Sequence, residues 1–233
     1  MVPHSARRRM RDGLLRGMLW LSGGLVAALL AAVAGYVLFR GLPHLTWELL
    51  TTQTSVLRDT RGIWPNLGNT LYVVGVSLAL VLPLGVGAAV YLTEYAPSRR
   101  LAGAIEFAAG TLAGIPSILY GLVGMLVFCQ LWGLQASLLA GSLTLAVMTF
   151  PTVLRTTQES LKTVPQSYRE GALGLGSGKW RMIRTVVLPA AADGIVTGCI
   201  LAVGRVVGES AALLFTAGMG MSLNHVFASW ENF

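Results

Sequence analysis

A chain of 233 residues with 54% hydrophobic and only 12% charged residues, at a mean hydropathy of +0.67, carries too little charge to solvate a soluble fold of its size and reads as a membrane protein. Its formal net charge of +7 invites a nucleic-acid reading, but the placement of the charges, taken up below, argues against one. Cys129 and Cys199 sit far apart in apolar runs, and His4, His44 and His225 share no ligand spacing, so neither a disulfide framework nor a metal centre is expected.

Crossing a hydrocarbon core of about 30 Å takes roughly 20 residues of helix. Five stretches qualify: 14–39, 67–92, 105–129, 133–154 and 190–217. The first follows a basic arm, as in a signal peptide. Its apolar run is longer than a signal core and no cleavage site stands out, so it reads as a retained span. The connection 40–66 carries Trp47 and Trp64, suited to the membrane interface, and turn residues Gly62 and Pro65. Pro83 and Pro116 fall inside spans, where neighbouring helices can satisfy the carbonyls they free. Gly75, Gly85, Gly87, Gly110, Gly114, Gly121 and Gly124 allow close helix packing. The third and fourth spans, separated only by about Gln130–Gly133, form a tight hairpin.

The Lys and Arg residues orient this bundle. Arg7, Arg8, Arg9, Arg11 and Arg16 lie at the N-terminus, Arg99 and Arg100 in the second connection, and Arg155, Lys162, Arg169, Lys179, Arg181 and Arg184 in the fourth. An N-terminus inside the cell puts all of them in the cytoplasm and leaves only Arg40, Arg58 and Arg61 outside, with Arg205 within a span. The basicity is thus topological, with anionic lipid rather than nucleic acid as its partner. The expected organisation is a basic arm (1–13), one transmembrane domain (14–218) with a cytoplasmic loop at 155–189, and an extracytoplasmic tail (219–233). Glu94 and Glu106 flank the second connection and are expected to be solvated or paired with Arg99 or Arg100.

Within the cytoplasmic loop, Arg169–Pro189 (REGALGLGSGKWRMIRTVVLP) is polar and basic between apolar stretches. An amphipathic helix over about Gln166–Val186 would present Tyr168, Leu173, Leu175, Trp180, Met182 and Ile183 beside arginines, with Glu170 near the favourable start of the helix dipole and Gly176 allowing a bend. A helix lying on the lipid surface would have the same composition. The run Gly174–Lys179 resembles a phosphate loop, but Leu173 and Trp180 stand where Walker A needs Gly and Ser/Thr, so the chain hydrolyses no nucleotide itself. In the fifth span, Arg205 and Glu209 are four residues apart, on one helical face. A charge there is costly and faces a bundle interior or an aqueous path. The guanidinium fork matches an oxyanion, and an adjacent carboxylate would weaken binding enough for release. The competing reading is a structural ion pair that pins the fifth span to its neighbours, and a role in translocation or gating is favoured over it.

The spacing of Glu170, Gly171, Ala172, Gly176, Val186, Leu188 and Pro189 resembles the EAA coupling loop of ABC-importer permeases, with Gly171 and Val186 departing from the usual Ala and Ile. Thr70–Tyr72, Pro83–Gly87 with Tyr91–Ala96, Gly114–Gly121, Arg155–Leu161 with Val164–Pro165, and Gly204–Glu209 look like the permeases of the phosphate-specific ABC importer, and Ser210–Gly218 looks more like its PstA-type subunit than its PstC-type partner. The resemblance spans roughly residues 63–218. It implies an all-α integral membrane protein with a type I ABC-permease core, here with five spans and no sixth. It further implies a multi-pass protein of a bacterial or archaeal plasma membrane. Its partners would be a PstC-type second permease, two ATPase subunits that use ATP and Mg, and an extracytoplasmic phosphate-binding protein. No cofactor is expected on this chain itself, and Arg205 and Glu209 would belong to the phosphate path. A permease for sulfate or molybdate, or a shortened scaffold without transport, remain the competing readings.

Overall fold

The computed structural model describes residues 4–55, 60–96 and 98–218. The chain divides into two units at Thr52/Gln53. In the first unit, α1 (His4–Gly41) is one unbroken helix that runs from residue 4 of the basic arm through the first apolar stretch. A 3-10 turn (Leu42–His44) and a short α2 (Trp47–Thr51) follow. Thr46 starts α2 by accepting the Leu49 N–H on its hydroxyl.

The second unit opens with a small antiparallel hairpin, β1 (Gln53–Ser55) and β2 (Thr60–Ile63), the two strands found among the described residues. The Thr54 hydroxyl bridges it, donating to the Gly62 carbonyl at 2.8 Å and accepting the Gly62 N–H at 3.2 Å. Next come α3 (Trp64–Val90), a π-helical turn (Tyr91–Tyr95), α4 (Arg99–Ala113) and α5 (Ser117–Gly124), which runs on as a π-helical stretch (Met125–Leu131). The last long helix is α6 (Leu138–Thr163). After it come α7 (Gln166–Gly174), α8 (Lys179–Met182), a π-helical turn (Ile183–Val187), α9 (Leu188–Ala190), α10 (Ala192–Val207) and α11 (Ala211–Thr216).

The apolar stretches are where hydropathy puts them, but two are not straight spans. Arg11–His44, Trp64–Tyr95 and Leu138–Thr163 are long and apolar enough to cross a membrane unbroken. The expected span 105–129 is instead cut at Gly114–Pro116, where the chain bends by 100°. Proline disfavours helical backbone at the preceding Ile115 and cannot donate to the turn before it, so Pro116 starts α5 rather than sitting inside a helix. The expected span 190–217 is interrupted at Gly208–Ser210. Its α10, at 16 residues, covers only about 24 Å at 1.5 Å per residue, short of the hydrocarbon core by itself. The fourth span starts at Leu138, capped by the Ser137 hydroxyl on the Ala140 N–H, and the hairpin before it turns through positive φ at Gly133 and Gln135.

The bundle is built around α6, the most deeply buried helix, against which α3 packs along its length. Helix α6 tolerates polar residues because they bond to their own backbone. The Ser142, Thr144 and Thr149 hydroxyls donate to the carbonyls of Leu138, Ala140 and Leu145 at 2.7–2.8 Å. Helix α10 approaches α6 through Gly194 and Gly198, where a Cβ would collide with Ser160 and Thr156. Small residues one turn apart let two backbones come close where no water-driven collapse helps. The expected tail 219–233 lies outside the described residues.

Candidate functional site

The polar segment 166–190 is not the single amphipathic helix that its composition suggests. Helix α7 ends in a Schellman turn: the Gly176 N–H donates to the Leu173 carbonyl at 2.9 Å and the Ser177 N–H to the Ala172 carbonyl at 3.1 Å. Gly176 sits at φ +78°, a backbone that side-chain-bearing residues adopt at a cost. The glycine therefore ends one helix instead of bending a longer one. A second helical arm, 179–190, then runs to Ala191, where the chain bends by 68° into α10. Glu170 lies past the first turn of α7, exposed to solvent, so the expected dipole contact at the helix start is not made.

Burial splits the expected apolar face in two. Met182 (2% exposed), Ile183 and Val187 are locked in a core with Val90, Leu92, Leu154 and Leu161, and Ala172 and Leu188 pack against it. Tyr168, Leu173, Leu175 (91% exposed) and Trp180 point outward. Met182 and Ile183 therefore anchor the segment, and the four outward residues are what it offers to anything else. Val186 is half-buried, whereas Gly171 and Pro189 are exposed.

Arg205 and Glu209 do not share a helical face. Helix α10 stops at Val207, Gly208 caps it, and Glu209 falls in the break before α11. Its carboxylate accepts the Ala212 N–H at 3.1 Å, which satisfies an orphan donor at the start of α11. Arg205 instead reaches α6, donating from Nη1 to the Thr152 hydroxyl at 3.3 Å. Among the described residues, its other donors have no protein partner. Glu209 also lines a cavity of about 180 Å³ with Asn66, Asn69 and Thr70 of α3 and with Val206 and Leu213. At the other end of α6, Glu106 of α4 accepts from Gln158 Nε2 at 3.1 Å and Lys162 Nζ at 3.4 Å, in a polar groove that Arg155 and Glu159 complete.

Sequence reading missed the partners of the acidic residues. Glu94 pairs with Arg169 rather than with Arg100, and the Arg99 side chain lies outside the described residues: Arg169 Nε and Nη2 reach one Glu94 carboxylate oxygen at 3.0 and 2.9 Å. The Arg169 guanidinium also donates to the Val164 and Leu161 carbonyls at 2.7 and 2.8 Å. Glu106 likewise pairs with Lys162. The available signal was Glu94 itself, a charge set in the apolar run Tyr91–Ala96 that burial would force to find a cation. Thr152, the residue Arg205 finds, gave no signal. Among the described residues no group of three or more His, Cys, Asp or Glu is placed to hold a metal.

A bundle of apolar helices with a folded, partly exposed polar segment between α6 and α10 has the architecture of a multi-pass membrane protein. Residues 81–227 match the family described as binding-protein-dependent transport system inner membrane component, and the chain belongs to that family. It is 37% identical to the probable ABC transporter permease protein YqgI of Bacillus subtilis over 97% of this chain and 76% of that protein. It is 33% identical to the phosphate transport system permease protein PstA of Haemophilus influenzae (96% of this chain, 77% of that protein). The same identity holds for PstA 1 of Mycobacterium tuberculosis strain H37Rv (95% and 73%). A chain of the MetNI methionine ABC transporter in an inward-facing conformation shares the fold at a TM-score of 0.53 and 22% identity, over 63% of this chain and 68% of that one. Family and apolar helices together make this a multi-pass inner-membrane protein with the type I ABC-permease fold.

Proposed function

We propose that this chain is the membrane-spanning subunit of an ATP-driven importer that moves inorganic phosphate into the cytoplasm. The observation that carries the reading is its similarity, over 95–96% of its length, to proteins named phosphate transport system permease. The N-terminus and the 166–190 segment lie in the cytoplasm, as the distribution of Lys and Arg favours. There Tyr168, Leu173, Leu175 and Trp180 form the face that seats in a groove of a separate ATPase, which binds ATP and Mg. Glu170, Gly171, Ala172, Gly176, Val186, Leu188 and Pro189 shape that segment. A PstC-type permease completes the pore, two ATPases dock beneath it, and an extracytoplasmic phosphate-binding protein delivers the substrate.

Arg205 contacts the passing anion. One of its donors holds Thr152, which fixes the side chain, and the rest of the planar fork is left for phosphate oxygens. Glu209, four residues on, contributes a carboxylate to the wall of a mostly apolar cavity, so that the anion is passed on rather than trapped. The test is uptake of labelled phosphate by the assembled importer, with sulfate as competitor and Arg205→Ala beside wild type at matched membrane abundance. Phosphate-selective uptake that the variant loses is the expected result. Uptake that sulfate suppresses as well as phosphate does would assign another oxyanion, and wild-type uptake by the variant would remove Arg205 from the path.

A further inference from the structure

We propose that the π-helical turn Tyr91–Tyr95 is the receiving end of the 166–190 segment, and that Glu94, Tyr95, Arg169 and Lys179 are positioning residues that carry its movement into α3. The inference rests on the reading of 166–190 as the ATPase contact.

The turn is gripped from both arms of the segment. From α7, before the Gly176 turn, Arg169 reaches Glu94. From the start of α8, after it, Lys179 Nζ lies 4.7 Å from the centre of the Tyr95 ring. Consecutive residues of one turn thus hold both sides of the segment. Between them, Leu92 is buried in the same core as Met182, Ile183 and Val187.

The Glu94–Arg169 pair is not a surface ornament. The side chains are 7% and 12% exposed, and a desolvated pair persists only when its remaining hydrogen-bonding capacity is also met. Arg169 meets it at Leu161 and Val164, the carbonyls at the end of α6 that no helical N–H can reach. One guanidinium therefore joins α6, α7 and the end of α3. The π-helical winding fits this role, since the extra residue in a turn re-aims the side chains that follow, and such turns recur at functional positions.

The direction of transmission comes from α3. With its π-turn it is a continuous helix of 32 residues, Trp64–Tyr95. Its far end supplies Asn66, Asn69 and Thr70 to the cavity that Glu209 lines. From Glu94 to Asn66 is about 40 Å at 1.5 Å per residue, longer than the hydrocarbon core. A tug on Glu94 and Tyr95 is therefore delivered along one helix, continuous through Pro83, to the cavity that Glu209 lines at the other end of the bundle.

The experiment uses the importer assembled with its second permease and ATPase in proteoliposomes, and reads phosphate transported per ATP hydrolysed. Glu94→Gln keeps the side chain's shape and removes its charge. Tyr95→Leu removes the ring from a half-exposed site where folding is not at stake. Both are expected to lower transport per ATP, Glu94→Gln by about tenfold, within the range typical of coupling between sites. The ATPase should co-purify with each variant at the wild-type level. Should Glu94→Gln fail to accumulate, Tyr95→Leu and Lys179→Gln decide on the same readout. A wild-type ratio in an intact complex would overturn the inference and leave the ATPase contact standing. A Trp180→Glu variant that retains its ATPase at the wild-type level would instead sink the contact reading on which the inference rests.

Discussion

Replacing Gly176 with alanine separates backbone conformation from packing, because nothing lies within 4 Å of where the new Cβ would stand. At φ +78° an alanine costs about 1–2 kcal/mol in the left-handed region. Loss of freedom in the unfolded chain gives back about 0.4–1 kcal/mol. The net is about 1 kcal/mol against the turn, equivalent to roughly fivefold more frequent opening. Gly171→Ala is the control. It too meets open space, but it lies within α7 at an ordinary φ, where alanine should stabilise by about 0.5–1 kcal/mol. Amide hydrogen exchange of residues 175–178 in detergent measures both, since the Leu175, Gly176 and Ser177 N–H groups close the turn. Exchange should quicken about fivefold in Gly176→Ala and slow in Gly171→Ala. Shifts of the same sign in both variants would refute the assignment of Gly176 as the helix stop.

Other expectations come from the same geometry. Met182→Ala empties a fully packed site and should cost about 2–5 kcal/mol in chemical denaturation, whereas Leu175→Ala should stay within about 0.5 kcal/mol while weakening ATPase co-purification. Gly198→Val drives a side chain into Thr156 and should destabilise the α10–α6 contact by about 1–3 kcal/mol, read by the same denaturation. Thr152→Val removes the one side-chain hydrogen bond that Arg205 makes among the described residues. It should reduce phosphate uptake less than Arg205→Ala does, because the guanidinium stays in place but loses its fixed orientation. Equal losses in the two variants would mean that Arg205 acts only through Thr152.

Much of this protein is written along the chain. Long apolar runs must become helices in lipid, since only a helix satisfies every backbone group within one segment, and hydropathy therefore located α1, α3 and α6. The spacing from Glu170 to Pro189 marked the polar segment for the same reason: it is a local pattern in a chain otherwise too apolar to hold it. What hydropathy could not give is where apolar stretches break. Pro116 and Gly208 were visible, but a membrane helix either absorbs a proline or glycine or ends at it, and neighbouring packing decides which. Nor could it split the apolar residues of 166–190 into buried anchors and an exposed face, because Met182 and Trp180 are equally apolar and differ only in which of them meets Leu161 and Val90. Partners of charged groups were the least legible. Glu94 finds Arg169 75 residues away and Arg205 finds Thr152 53 residues away, whereas the sequence offered Arg99 and Glu209 close by. A buried charge is satisfied by whatever donor or acceptor the fold brings within about 3 Å, and that distance exists only in three dimensions.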